Sequence, residues 1–231
     1  VENDKKYGLL EETKYLLGRY FDLLKKKEEE KLQKQRVEKQ KLFWQHDKYI
    51  EYENGIRGIY LNGYLYGNES FKEKMHDLVF STEINAVVID IKSDNGHVLY
   101  ETKVEEAINI NSIRVKYSET DLSFYKNKDI YLIGRLVAFQ DPLFAKKHPE
   151  SAVWDKKNDT LYKQGKQYFL DPSDLKARKY ILDLAVDACR IGFNEIQLDY
   201  IRYPDSQYKY MKFDLESTVE NRTLSIQSFL Y

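Results

Sequence analysis

From Gly55 onward, short apolar runs alternate with amphipathic stretches, and no other feature restricts the fold of this chain so strongly. IRGIYLNG (56–63), NAVVIDIKSD (85–94), DIYLIGRLVAF (129–139) and NEIQLDY (194–200) read as strands. Between them lie helical patterns. SFKEKMHDLVFST (70–82) carries Ser70 as a cap, and a further helix is expected near 119–127. DPSD (171–174) supplies a cap at Asp171 and a proline at the first helical position. Leu175, Ile181, Leu182, Ala185, Ala188 and Cys189 then mark one face until Gly192, and a last helix is expected over 220–231. Residues 95–128 are poorly periodic, and 140–170 form a long insertion. Continuous aliphatic strands that alternate with helices predict an α/β fold of four βα units on a parallel sheet, in chain order.

In such folds chemistry gathers at the carboxyl ends of the strands, where the loops converge. EIQLDYIRYP (195–204) ends its strand on Asp199, followed by Tyr200 and Arg202. Period-two alternation puts Glu195, Gln197 and Asp199 on one face, and on the second strand Val88, Asp90 and Lys92. The third strand adds Arg135. Two carboxylates, a lysine and two arginines are therefore expected near one rim, and paired carboxylates are what cleavage of a glycosidic bond requires. A salt bridge that ties down a loop accounts for the same residues equally well. DNG (94–96) reads as a turn. His148 and Trp154 lie in the insertion; each is either a site residue or, respectively, a surface group and a packing plug.

Residues 1–52 form a separate segment, expected to be a charged helical spacer or stalk, with the barrel-like domain over 53–231. Leucines recur at helical spacing from Leu9 to Leu24, and the stretch 25–41 then carries eight basic and four acidic residues with two aliphatic ones. The heptad pattern lasts too few turns for a coiled coil. The chain starts at Val1, so a start codon and any signal or anchor are expected upstream.

With 231 residues, 42% hydrophobic and 32% charged, the chain can bury one sizeable core. A net charge of −1 gives no excess of positive charge for sequence-blind binding to nucleic acid. No apolar run reaches membrane-spanning length, so this chain is not expected to insert into a membrane. The lone Cys189 excludes an intrachain disulfide and reads as an inert core thiol. No His/Cys cluster has metal-ligand spacing, no phosphate loop occurs and no serine sits in a nucleophile elbow, so neither metal nor cofactor is expected. Twenty tyrosines and eleven phenylalanines suit either a core or a sugar-lining surface.

GIRGIYLNGY (55–64), TEINAVVIDIKSDNGHVLY (82–100), IGRLVAFQDPLFAKKHPESAV (133–153), FLDPS (169–173) and GFNEIQLDYIRYP (192–204) resemble, in order and spacing, a bacterial family of glycosyl hydrolases. That family is regarded as a TIM barrel distantly related to the α-amylase clan. The resemblance implies a (β/α)8 TIM-barrel type of which this chain holds the first four βα units. It also implies that Asp199 is the nucleophile, since the clan places an aspartate nucleophile at the end of strand four. Asp90 is the nearest second carboxylate, and the general acid is expected beyond Tyr231. Arg202, Arg135 and Lys92 would bind substrate or hold the carboxylates ionised, and Tyr60, Tyr64 and Trp154 would stack on sugar rings, with His148 also facing substrate. The expected partner is a polysaccharide or oligosaccharide in an extracellular or cell-envelope setting. Open edges on strands one and four would allow self-association and leave the truncated chain weakly active or inactive. The alternative is a non-catalytic glycan-binding or envelope scaffold module.

Overall fold

The structure, a computed structural model, describes residues 55–205 and 208–231 together with Lys26, Lys27, Lys31 and Lys34. Those four lysines are helical and exposed; the rest of the expected spacer over 1–52 lies outside the described residues.

Four parallel strands stand side by side in chain order: β1 (Gly58–Leu61), β2 (Ala86–Lys92), β5 (Tyr131–Val137) and β10 (Glu195–Asp199). The crossover from β1 to β2 runs through a single turn, α1 (Gly63–Tyr66), and α2 (Glu69–Ser81), which Asn68 caps through Phe71 N. Between β2 and β5 lie β3 (Val98–Tyr100), α3 (Glu105–Asn109), β4 (Ile113–Tyr117) and α4 (Glu119–Lys126). β3 pairs antiparallel with the end of β2 at Lys92 and Val98, and β4 runs parallel to β3, so the sheet is mixed at this side. Among the described residues β1 pairs only with β2, and β10 only with β5.

After β5 comes α5 (Pro142–Lys147), started by Asp141 as cap and Pro142 at the first position. The insertion then folds into β6 (Trp154–Asp155), β7 (Thr160–Leu161), β8 (Lys163–Gln164) and β9 (Gln167–Tyr168). It is joined by β11 (Met211–Lys212), which follows β10 and pairs antiparallel with β6. Helices α6 (Leu175–Ile191) and α7 (Val219–Leu230) complete the chain. Among the described residues no helix is long and apolar enough to cross a membrane.

The core lies between sheet and helices, with Val87, Ile89, Ile91, Leu132 and Leu136 of β2 and β5 against Leu122, Ile181, Leu184 and Phe193. Five tyrosines, at 66, 100, 117, 125 and 180, are fully buried, so a large share of the aromatic content is core. α6 starts later than the sequence suggests. Asp174, not Asp171, caps it through Ala177 N, while Asp171 closes a preceding turn with Ser173. The buried face of α6 is accordingly Ala177, Tyr180, Ile181, Leu184 and Ala188, and Leu175 and Leu182 are exposed.

The turn after β2 is set by Gly96, at φ +80. A Cβ there would land on the Asp141 carboxylate. Gly96→Ala is therefore expected to destabilise the fold by about 2 kcal/mol or more, combining left-handed strain with a clash. Gly165→Ala, with φ +63 and no atom within 4 Å of the added Cβ, carries the strain alone and should cost less in denaturant titration. Equal costs would mean that Asp141 gives way freely.

Candidate active site

The register of the parallel strands brings three charged groups together at the carboxyl end of the sheet. Asp90 lies opposite Arg135, and Arg135 lies opposite Gln197, two residues before Asp199 on the next strand. Arg135 thus stands on the middle strand with a carboxylate on either side. Its Nη1 donates to Asp90 Oδ1 at 2.7 Å; its Nε and Nη2 donate to Asp199 Oδ2 at 2.9 and 2.6 Å. One planar fork therefore holds two acids in a fixed relation. Burial of Arg135 works against its charge, but the hydrogen bonds and charges of Asp90 and Asp199 outweigh it and raise its pKa.

The two acids differ in access. The Asp90 side chain is 4% exposed and that of Asp199 is 39% exposed. Asp90 Oδ2 accepts from the Tyr60 hydroxyl at 2.6 Å and the Gly63 amide at 3.3 Å, and Tyr117 donates to the Asp90 carbonyl at 3.0 Å. Tyr60 stays half-exposed, with the Arg135 guanidinium 5.9 Å from its ring centre. Burial, then the bond to Asp90, pushes its phenol up to about 12. Asp199 Oδ1 accepts from the following amide, Tyr200 N, at 2.7 Å. Tyr200 adopts φ +53, a left-handed conformation uncommon for a bulky residue, at the point where the chain leaves the strand.

The remaining sequence candidates lie elsewhere. Lys92 is fully buried: its ammonium donates to the Val137 carbonyl at 2.7 Å and pairs with Asp141 at 3.0 Å. The cause is a β-bulge. Two residues of β2 after Asp90 oppose one of β5, so Lys92 aligns with Leu136 and leaves the face of Asp90. Arg202 does not reach either acid in the hydrogen-bond network; it stacks over Tyr200 at 5.4 Å and Phe169 at 5.8 Å. Tyr64, next to the Gly63 amide, bonds His97 Nδ1 at 2.7 Å and Ser93 Oγ at 3.1 Å. His148 is engaged by Glu106 and Lys176, and Trp154 donates to Asp159 at 3.2 Å on the small sheet.

Sequence reasoning missed the amides of Gly63 and Tyr200, because backbone donors leave no residue-type signal. The NG pair after the first strand was the available cue for Gly63: Asn62 caps α1, and a Cβ at 63 would press on Asp90. Among the described residues no group of three or more His, Cys, Asp or Glu is arranged to hold a metal ion. A half-exposed carboxylate fixed by a guanidinium and an amide, beside a second acid and an open tyrosine ring, can attack an electrophilic carbon or orient a sugar.

A family model described as a putative glycosyl hydrolase domain matches residues 58–231. The crystal structure of a hypothetical protein from Ruminiclostridium thermocellum ATCC 27405 is 35% identical, covers 74% of this chain and 88% of its own, and superposes with a TM-score of 0.68. A GH31 alpha-xylosidase from a soil metagenome, complexed with xylose, matches 76% of this chain and 26% of its own at 14% identity and a TM-score of 0.51. A GH20 exo beta-N-acetylglucosaminidase from Vibrio harveyi matches 67% and 28% at 11% identity and a TM-score of 0.50. These two likenesses are of fold, and the chain spans only about a quarter of each enzyme's length. No curated protein matches the chain.

Proposed function

The chain belongs to the family of putative glycosyl hydrolase domains, and from that premise we propose that it supplies the nucleophile, Asp199, for hydrolysis of a glycosidic bond in a polysaccharide. The observation that carries this reading is the Arg135 fork, which presents a half-exposed Asp199 at a strand end while Asp90 lies buried behind it. Asp199 would attack the anomeric carbon as the bond from that carbon to the leaving sugar oxygen breaks. The leaving oxygen takes its proton from a general acid on a later barrel strand, as the α-amylase-clan resemblance implies. Water then cleaves the glycosyl ester. Asp90 orients Arg135 and Tyr60, and the open ring of Tyr60 offers an apolar face to a sugar. The complete fold in this reading is an eight-unit barrel, and its substrate lies outside the cell or in the cell envelope.

The rival, a non-catalytic glycan-binding module, draws on the burial of Asp90, which leaves one accessible acid. The two separate in a labelling experiment. Incubation of the whole protein with activated 2-deoxy-2-fluoro glycosides of several configurations should leave one sugar on the peptide that contains Asp199, read by mass spectrometry. A label on another acid, or none from any glycoside that the protein binds, overturns the assignment.

A further inference from the structure

We infer that the loop 208–217 forms, with Lys156 of the insertion, a second binding site, for the carboxylate-bearing residues of an acidic polysaccharide. The inference deepens the glycosidase reading and rests on it for the class of ligand. A cleft of about 360 Å³ lies against β11, lined by Lys156, Lys209 and Lys212 with Tyr208, Met211 and Phe213. The volume falls within the ~300–1,000 Å³ of small-ligand sites and accommodates a sugar unit or two. None of Tyr60, Asp90, Arg135 or Asp199 lines it.

Its construction favours such a ligand. Met211 is buried, packed with Val153 and Phe169 in a small core of its own, and Phe213 and Tyr208 lean on that core. Three exposed lysines surround this apolar base, against a single lining acid, Glu216. The chain as a whole carries a net charge of −1, so this is a local reversal of sign. Lys212 is the cross-strand partner of Trp154, so an ammonium and an indole stand together on one face of the small sheet. Arg222 holds the shape: its guanidinium lies 3.9 Å from the Tyr208 ring centre and donates to the Ser217 carbonyl at 2.7 Å, pinning both ends of the loop. An apolar floor for the body of a sugar and ammonium groups for its carboxylate fit a uronic acid chain. A neutral glycan would leave the lysines without a role, and a nucleic acid would call for a wider basic surface.

Titration calorimetry on the whole protein tests this, with an oligogalacturonate and a neutral galacto-oligosaccharide of equal length as probes. The oligogalacturonate should bind at least tenfold more tightly, weakening as salt rises from 50 to 500 mM. Lys156→Glu/Lys212→Glu should abolish the preference while circular dichroism and melting temperature stay unchanged; if that variant unfolds, Lys209→Gln with Lys212→Gln serves, with at least a fivefold loss expected. Equal affinity for the two probes, or a preference that survives charge removal, overturns the proposal. Binding without turnover of any glycan would sink the glycosidase reading and leave this one standing; turnover of neutral glycans without uronate binding would do the reverse.

Discussion

Asp199→Asn is expected to lower hydrolysis by about ten-thousand-fold or more while the protein keeps its fold. The amide is isosteric, but with its carbonyl on Arg135 its NH2 faces the Tyr200 amide, so the substitution removes the nucleophilic charge and one hydrogen bond while leaving the shape unchanged. At 39% exposure the side chain is too open for the change to alter stability by more than about 1 kcal/mol. Asp90→Asn acts through Arg135 and Tyr60, and an error of position alone should cost about a hundredfold. The two roles separate chemically. Azide added to Asp199→Ala can occupy the vacated space and attack the anomeric carbon, restoring turnover as a glycosyl azide of inverted configuration. It has no such effect on Asp90→Ala. The assay uses the whole protein on a panel of bacterial polysaccharides. If the wild type cleaves one of them and a folded Asp199→Asn protein cleaves it equally fast, Asp199 is structural.

The legible part of this fold was its four parallel strands, because buried parallel strands are written as aliphatic runs. β2 and β5 were expected within two residues of each observed end, and α4 and α7 within one. The stretch 95–118 was illegible for a related reason. β3 is three residues long and β4 exposes Arg114 and Val115, so neither shows a run or a clean alternation. α5 was missed even though Asp141-Pro142 signals a helix start; at six residues it has no room for a periodic face. The start of α6 went wrong for the opposite reason, since DPSD offers two aspartates as caps and only hydrogen-bond geometry chooses between them.

For the site, alternation found Asp90, Arg135 and Asp199, and the structure joins all three through one guanidinium. Parity failed one step further along β2. A bulge is invisible in a run such as VVIDIKSD, and it turned Lys92 from an expected sugar ligand into a buried group. Tyr60 was expected to stack on a sugar; its hydroxyl bond to Asp90 depends on the packing of two strands and is not encoded in either alone.

The buried Lys92 carries the largest stability effect expected in this protein. Both Lys92 and Asp141 side chains are 0% exposed, and their charged atoms are 3.0 Å apart. Asp141 Oδ1 caps α5 through Leu143 N at 3.0 Å and Phe144 N at 2.8 Å, while Oδ2 makes no hydrogen bond of good geometry. What holds Oδ2 is therefore the charge of Lys92. Asp141→Asn keeps the cap and strands a buried ammonium; Lys92→Met strands a buried carboxylate. Each should cost about 3–5 kcal/mol in denaturant unfolding, because the surviving charge has lost its counterion but not its desolvation penalty. The double variant removes both charges and should be more stable than the sum of the single losses by more than about 1 kcal/mol. The pair also bears on the site. Lys92 donates to the carbonyl of Val137, so it ties the end of β2 to the end of β5, two residues beyond Asp90 and two beyond Arg135. Lys92→Met should accordingly weaken turnover through a misplaced Arg135 even under conditions where the variant is fully folded. Additive losses in the double variant would mean that each charge finds water in the other's absence, and the two strand ends would then be held by the ladder alone.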